Sequence, residues 1–205
     1  MCENRCVYYD QSEFWCSAMG GCLKSGGDVC IATGGTKACF SIFVSDSVPV
    51  LICLGAEVEA IDGKGRRWLP VEQLYNSDGL RPHTLPPDAL LTHIRIPLAE
   101  EGSMFFRKIR PRASVDFTNL TLAVRMSMDD SSAETYAGQQ RITLAMSGVG
   151  PAPVWIRDST SVEADALTTE LMSRTQIVDN VAYQRAYRKG MLRALVKEGI
   201  QALMA

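Results

Sequence analysis

SDSVPVLICLGAEVEAIDGKGRRWL, residues 45–69, reads as a short helix followed by a β-hairpin, and that pairing decides the fold class. Ser45 and Asp46 supply a cap, and Pro49 falls in the first turn, where its missing N–H costs nothing. Val50 to Leu54 then run to a stop at Gly55. Glu57 to Ile61 reads as a strand, Asp62-Gly63-Lys64-Gly65 as a hairpin turn, and Arg66 to Leu69 as the return strand.

Downstream, Pro70 to Tyr75 reads as a short helix and residues 76–88 as a loop. Leu90 to Pro97 alternates Leu91, His93 and Arg95 against Ile94 and Ile96, which predicts a strand, and Ser103 to Ile109 predicts another. Strands at 119–128 and 141–146 flank a polar linker, 129–140. A helix is expected over 161–174 and a longer one over 180–203, where Tyr183, Tyr187, Met191, Ala194 and Leu195 recur at helical spacing. There is no internal repeat. The expected class is α+β: an antiparallel sheet with helices over 1–100, then a smaller sheet with helices over 101–205.

Upstream lies the chain's chemical oddity. Six of its seven cysteines (Cys2, Cys6, Cys16, Cys22, Cys30, Cys39) fall in the first 39 residues, and only Cys53 lies beyond. Gly20-Gly21, Gly26-Gly27 and Gly34-Gly35 punctuate the same stretch, so an irregular loop that needs a ligand to be ordered is expected there. No N-terminal apolar leader is visible, which sets the expected compartment as the cytoplasm. In a reducing compartment, clustered thiols bind metal or do redox work more often than they form disulfides.

Bulk composition narrows the partners. The 205 residues are 46% hydrophobic and 21% charged, with net charge −2. That balance gives no electrostatic reason for nucleic acid or an anionic membrane as partner. The longest apolar stretch, Val48 to Leu54, is far short of the roughly 20 residues a membrane helix needs. Zinc ribbons usually carry two Cys-x₂₋₄-Cys pairs, and only Cys2/Cys6 has such a spacing here; Cys16/Cys22 is wider. The spacing argues against a zinc ribbon and leaves a wide-spaced four-thiolate site, which an iron–sulfur cluster accepts. Lys24 and Lys37 stand ready to offset a cluster's negative charge.

Several ordered segments carry a resemblance. Cys6-Val7-Tyr8-Tyr9-Asp10-Gln11-Ser12-Glu13-Phe14-Trp15, then Cys22-Leu23-Lys24-Ser25-Gly26-Gly27-Asp28-Val29-Cys30, then Cys39, resemble the cysteine loop of one flavoprotein branch of the xanthine dehydrogenase (molybdenum hydroxylase) family. That branch is the FAD-containing β subunit of 4-hydroxybenzoyl-CoA reductases. The run from Ser45 to Ala56 is similar to the family's Ser-Asp-x-x-Pro-x-Leu-x-x-Leu-Gly-Ala helix, and Leu90 to Pro97 to its following strand. Phe106-Arg107-Lys108-Ile109-Arg110-Pro111-Arg112-Ala113-Ser114-Val115-Asp116-Phe117 resembles the segment that opens its C-terminal domain, and Tyr183 to Lys189 its closing Tyr-Arg helix.

The resemblance implies the C-terminal part of a molybdenum-hydroxylase FAD-binding domain (1–100), then a domain like the C-terminal one of CO dehydrogenase flavoproteins (101–205). It implies FAD near Asp46, Leu91 and Lys108, and a [4Fe–4S] cluster on Cys6, Cys22, Cys30 and Cys39, with Cys2, Cys16 and Cys53 as bystanders. It further implies an electron-transfer subunit beside a molybdopterin-binding large subunit and a [2Fe–2S] small subunit. A ferredoxin-type donor would drive 4-hydroxybenzoyl-CoA reduction to benzoyl-CoA. Relatives carry a pyrophosphate-gripping loop ahead of the cysteine insertion, so weak or no FAD binding is expected of these residues by themselves.

Plainer roles stand beside these. Asp46 is also placed as a helix cap, Lys108 on a solvated basic face with Arg107, Arg110 and Arg112, and Leu91 as core. His83 and His93, with no Ser or Cys partner in a nucleophile motif, read as solvent or core residues. The second functional reading is a non-catalytic subunit-docking module with an empty or zinc-bound cysteine loop.

Overall fold

The structure, a computed structural model, describes residues 4–98, 102–113, 115–128, 140–181 and 183–205. Most of the polar linker at 129–140 therefore lies outside the described residues; Gln140 already belongs to a strand.

Alternation in two central strands organises the molecule. A four-stranded antiparallel sheet has the order β4-β5-β6-β7, with β4 at Gly102–Ile109, β5 at Leu120–Met128, β6 at Gln140–Ser147 and β7 at Val154–Ser159. Successive side chains of a strand point to opposite faces. Leu120, Leu122 and Val124 of β5, with Ile142, Leu144 and Met146 of β6, pack into a buried core with Leu167, Leu171, Leu192 and Leu195. Those partners come from helices α3 (Ala164–Arg174) and α4 (Arg185–Met204). Fully buried Arg188 of α4 donates to the backbone carbonyls of Gly148 and Val178, pinning the helix to the end of β6.

The alternate residues Ala123 and Ala145 face the other way, into a second core with Val48, Ile52 and Cys53 of helix α2 (Ser47–Cys53). Two alanines let the short helix approach the sheet closely: Cys53 Sγ lies 3.4 Å from the Ala123 carbonyl and 3.5 Å from that of Thr143. Burial pushes this thiol up to about 12, so Cys53 is inert core. Beyond α2 comes a three-stranded antiparallel sheet of order β2-β1-β3, with β1 at Glu57–Asp62, β2 at Gly65–Pro70 and β3 at Leu90–Arg95. The predicted hairpin closes with Asp62 opposite Gly65.

The expected α+β architecture is therefore present, with differences that have physical causes. Strand β7 is unannounced by the sequence. It follows the proline- and glycine-rich run at 148–153, and its pairing slips register between Ile142 and Leu144. The helix expected from 161 starts at Ala164, because the Ser161 hydroxyl accepts from Glu163 N at 3.4 Å, forming a turn instead of a cap. The helix expected from 180 starts at Arg185, whose N–H donates to Asp179 Oδ1 at 2.5 Å, while Asn180 Nδ2 is held by the Phe40 carbonyl at 2.6 Å. Within the cysteine loop the chain forms an unpredicted helix α1 (Glu13–Ala18), which buries no residue and so has no apolar stripe to reveal it.

The loop carries its own hydrogen-bond framework. Leu23 N donates to Val29 O at 3.0 Å, while Cys30 N donates to Gly35 O and Gly34 N to Cys30 O, both at 2.7 Å. A Cβ on Gly27 would lie 2.5 Å from the Gly21 carbonyl oxygen, so these two turns touch backbone to backbone. Buried Asn4 ties the start of the loop to the body, donating to the carbonyls of Ser41 at 3.1 Å and Pro151 at 2.8 Å.

Candidate functional site

The register of β4 on β5 places Lys108 opposite Thr121, on the face that α2 covers. Asp46 stands at the N-terminus of α2 and meets both. Lys108 Nζ donates to Asp46 Oδ2 at 2.5 Å, and the Thr121 hydroxyl donates to Asp46 Oδ1 at 3.3 Å. Lys108 also donates to the Asp116 carbonyl at 2.8 Å, which draws in the 110–119 loop. Two of the three predicted flavin residues, 62 positions apart, thus form one ion pair.

The cap role expected of Asp46 belongs to its neighbour. Ser45 Oγ accepts from Val48 N at 3.1 Å, whereas the Asp46 carboxylate makes no cap hydrogen bond. Ser45 is itself fixed by Ser147, which donates its hydroxyl to the Ser45 carbonyl at 2.7 Å. The aspartate is thereby left facing Lys108 and the open space beside it.

That space is a cavity of about 540 Å³, within the range of small-molecule sites. One wall is ionic: Asp46, Lys108, Arg112 and Asp116. Arg112 beside Asp116 holds that carboxyl down to about 2, so it is ionised throughout the physiological range. The other wall is aromatic. Phe43 and Tyr75 lie with centroids 4.6 Å apart at 56°, and His83 lies 6.0 Å beyond Tyr75. Burial raises the Tyr75 phenol to about 12 and lowers His83, the latter opposed by the Leu74 carbonyl. His83 Nδ1 is buried without a hydrogen-bond partner.

His83, read from sequence as a solvent or core residue, is half-buried and lines the cavity. No motif marks it. An isolated antiparallel bridge between Tyr75 and His83 brings it there, and a bridge that short leaves no periodic signal. Leu91, the third predicted flavin residue, is absent from the cavity lining; it is half-buried and packs on the core that Phe43 and Val48 belong to.

Cys6, Cys22, Cys30 and Cys39 are all buried, at 5–7% exposure, while Cys16 is half-exposed. Burial raises the Cys6 thiol, the Tyr8 and Tyr9 backbone oppose the rise, and the nearby Cys39 and Cys30 add to it. Ser25 Oγ lies 3.5 Å from Cys22 Sγ. Around Cys39, Asp78 Oδ1 accepts from Cys39 N at 2.9 Å, and Gly79 N donates to Cys39 O at 2.8 Å. A Cβ on Gly79 would come 2.0 Å from Ser41 Oγ and 3.1 Å from Cys39 Sγ. Among the described residues no three His, Cys, Asp or Glu side chains are disposed to hold a metal ion.

Known proteins resemble this chain in sequence and in fold. Residues 21–99 match the sequence profile of the family described as FAD binding domain in molybdopterin dehydrogenase. The chain is 29% identical over 109 residues to the aldehyde oxidoreductase FAD-binding subunit PaoB of Escherichia coli, covering 51% of this chain and 34% of that one. It is 28% identical over 118 residues to a xanthine dehydrogenase of Emericella nidulans, covering 57% of this chain and 8% of that one. Its fold matches CO dehydrogenase from Oligotropha carboxidovorans with a TM-score of 0.63 at 18% identity, over 77% of this chain and 56% of that one. The chain thus spans about a third of the Escherichia coli relative and little more than half of the CO dehydrogenase chain. Residues 21–99 thus carry the pattern of an FAD-binding domain, and most of the described fold is similar to part of the CO dehydrogenase chain. Among the described residues no helix is long and apolar enough to cross a membrane.

Proposed function

We propose that this chain is FAD-binding material of a molybdenum hydroxylase-type oxidoreductase, and that the cavity between Asp46–Lys108 and the Phe43–Tyr75–His83 wall receives the flavin. The single observation that carries the reading is the convergence of Asp46 and Lys108 at the rim of a cavity partly built from the stretch matching the FAD-binding profile. The chemistry of the walls suits the ligand. Aromatic rings accept a planar heterocycle, and Lys108 supplies a cation where negative charge would gather. Leu91 we assign a backing role behind that wall.

FAD when bound supplies one- and two-electron transfer, while the protein supplies orientation and electrostatics. Lys108, held by Asp46 and the Asp116 carbonyl, keeps its ammonium aimed at one place. Tyr75 and Phe43 exclude water from the inner wall. On the same reading Cys6, Cys22, Cys30 and Cys39 hold a [4Fe–4S] cluster, supported by their burial. A molybdopterin subunit, a [2Fe–2S] subunit and a ferredoxin-type donor would complete the assembly, with an aromatic acyl-CoA as substrate.

The test is a titration of the full chain with FAD, followed by flavin fluorescence and saturation-transfer NMR. A weak interaction is expected, with a dissociation constant between about 0.1 and 1 mM, or about −5.5 to −4 kcal/mol. Asp46→Ala and Lys108→Met should each abolish it. Equal binding by both variants would overturn the assignment. Iron and acid-labile sulfide in anaerobically purified protein test the cluster: about four irons per chain are expected, and zinc or no metal would contradict it.

A further inference from the structure

Arg5 joins the cysteine loop to the cavity. Its backbone is bridged on both sides to Ile42, with Arg5 N to Ile42 O at 2.8 Å and Ile42 N to Arg5 O at 2.6 Å. It directly precedes buried Cys6. From that fixed base its guanidinium carbon lies 3.6 Å from the centroid of the Phe117 ring. Phe117 lines the cavity and is 50% exposed, so burial alone does not orient it. Its N–H is held by Asp116 Oδ1 at 2.8 Å, which sets the backbone but leaves the ring to its neighbours. A guanidinium over an aromatic face is an attractive, oriented contact. With one face of Phe117 taken by Arg5, the rest of the ring is the part left to border the cavity.

We infer that Arg5 is a positioning residue for the flavin: it holds Phe117 as an aromatic wall opposite Phe43 and Tyr75, so that the cysteine loop and the cavity are built as one unit. The inference rests on the flavin reading above and adds residues to it. Neither Arg5 nor Phe117 needs to touch a reacting atom. Their contribution is to fix a planar surface before the ligand arrives, which lowers the ordering cost of binding.

The experiment is an FAD titration of the full chain in five forms: parent, Arg5→Met, Arg5→Lys, Phe117→Leu and the Arg5→Met/Phe117→Leu double variant. Affinity is read from the titration, stacking from the quenching of flavin fluorescence, and folding from far-ultraviolet circular dichroism. Arg5→Met and Phe117→Leu should each weaken binding about five-fold, the scale of one cation–π contact, and lose much of the quenching. Arg5→Lys, which keeps the cation, should recover most of both. The double variant should be no weaker than Phe117→Leu, because the two residues act through one contact. Parent-like affinity and quenching in Arg5→Met, or strictly additive losses, would overturn the inference while leaving the flavin reading intact. An absence of FAD binding by the parent would overturn both. Should Arg5→Met fail to fold, Arg5→Lys and Phe117→Leu still decide the matter: equal quenching in parent and Phe117→Leu sinks it.

Discussion

Replacing Ser45 and Asp46 one at a time separates scaffold from site in two adjacent residues. Ser45 Oγ accepts from Val48 N, whereas the clasp to Ser147 uses only the Ser45 backbone, so Ser45→Ala removes a helix cap and leaves the clasp in place. Loss of such a cap typically costs about 0.5–2 kcal/mol. Asp46→Ala removes no cap. It removes an ion pair whose carboxylate side chain is 49% exposed, worth about 0–1 kcal/mol after screening. Lys108 keeps the Asp116 carbonyl, and Thr121 keeps Thr118 as a partner at 2.7 Å, so neither is stranded. Urea unfolding should therefore show a clear drop in midpoint for Ser45→Ala, with the m-value unchanged, and a smaller drop for Asp46→Ala. FAD binding should show the reverse order. A larger stability loss for Asp46→Ala than for Ser45→Ala would refute the reasoning, because it would make Asp46 the structural cap.

Three further outcomes follow from the geometry. Gly79→Ala forces a Cβ into Ser41 Oγ and the Cys39 thiol, so it should cost about 1–3 kcal/mol and speed alkylation of Cys39; a neutral effect in urea unfolding would contradict the packing described. Tyr75 keeps its proton to about pH 12 in the fold against an ordinary value of 10. Its raised value contributes stability that is whole below pH 10 and disappears as pH rises to about 12. The change is read as a late step in phenolate absorbance that coincides with unfolding and is missing in Tyr75→Phe. In metal-free, reduced protein the half-exposed Cys16 should react first of the described cysteines with iodoacetamide, and Cys53 only after unfolding. Mass spectrometry of a timed series orders them, and early labelling of Cys53 would contradict its place in the core.

The helix–hairpin run at 47–70 is legible in sequence because local chemistry decides it: a proline in the first turn, a glycine stop, and an Asp-Gly-Lys-Gly turn between short strands. The pairing of Asp46 with Lys108 is harder to read. It depends on a cross-strand register 13 residues wide and on two alanines that let α2 settle on the sheet. Resemblance supplied both names, while only the fold shows that they touch. His83, Arg5 and Phe117 lie beyond either route. Each reaches the cavity through one bridge or one ring contact, and such contacts leave no period, cap or spacing in the chain. The four thiols were visible from the start as a crowd, and burial now separates them from Cys16, which lies half-open beside the Tyr8 carbonyl.

The proposed flavin site lies between the N-terminus of α2 and the 110–119 loop. Hydrogen–deuterium exchange of the full chain, with and without saturating FAD, tests it most directly. Slower exchange is expected in peptides covering 43–48, 75–83 and 108–118, with the face formed by α3 and α4 unchanged. Protection confined to that helical face, or no protection at all, would contradict the account.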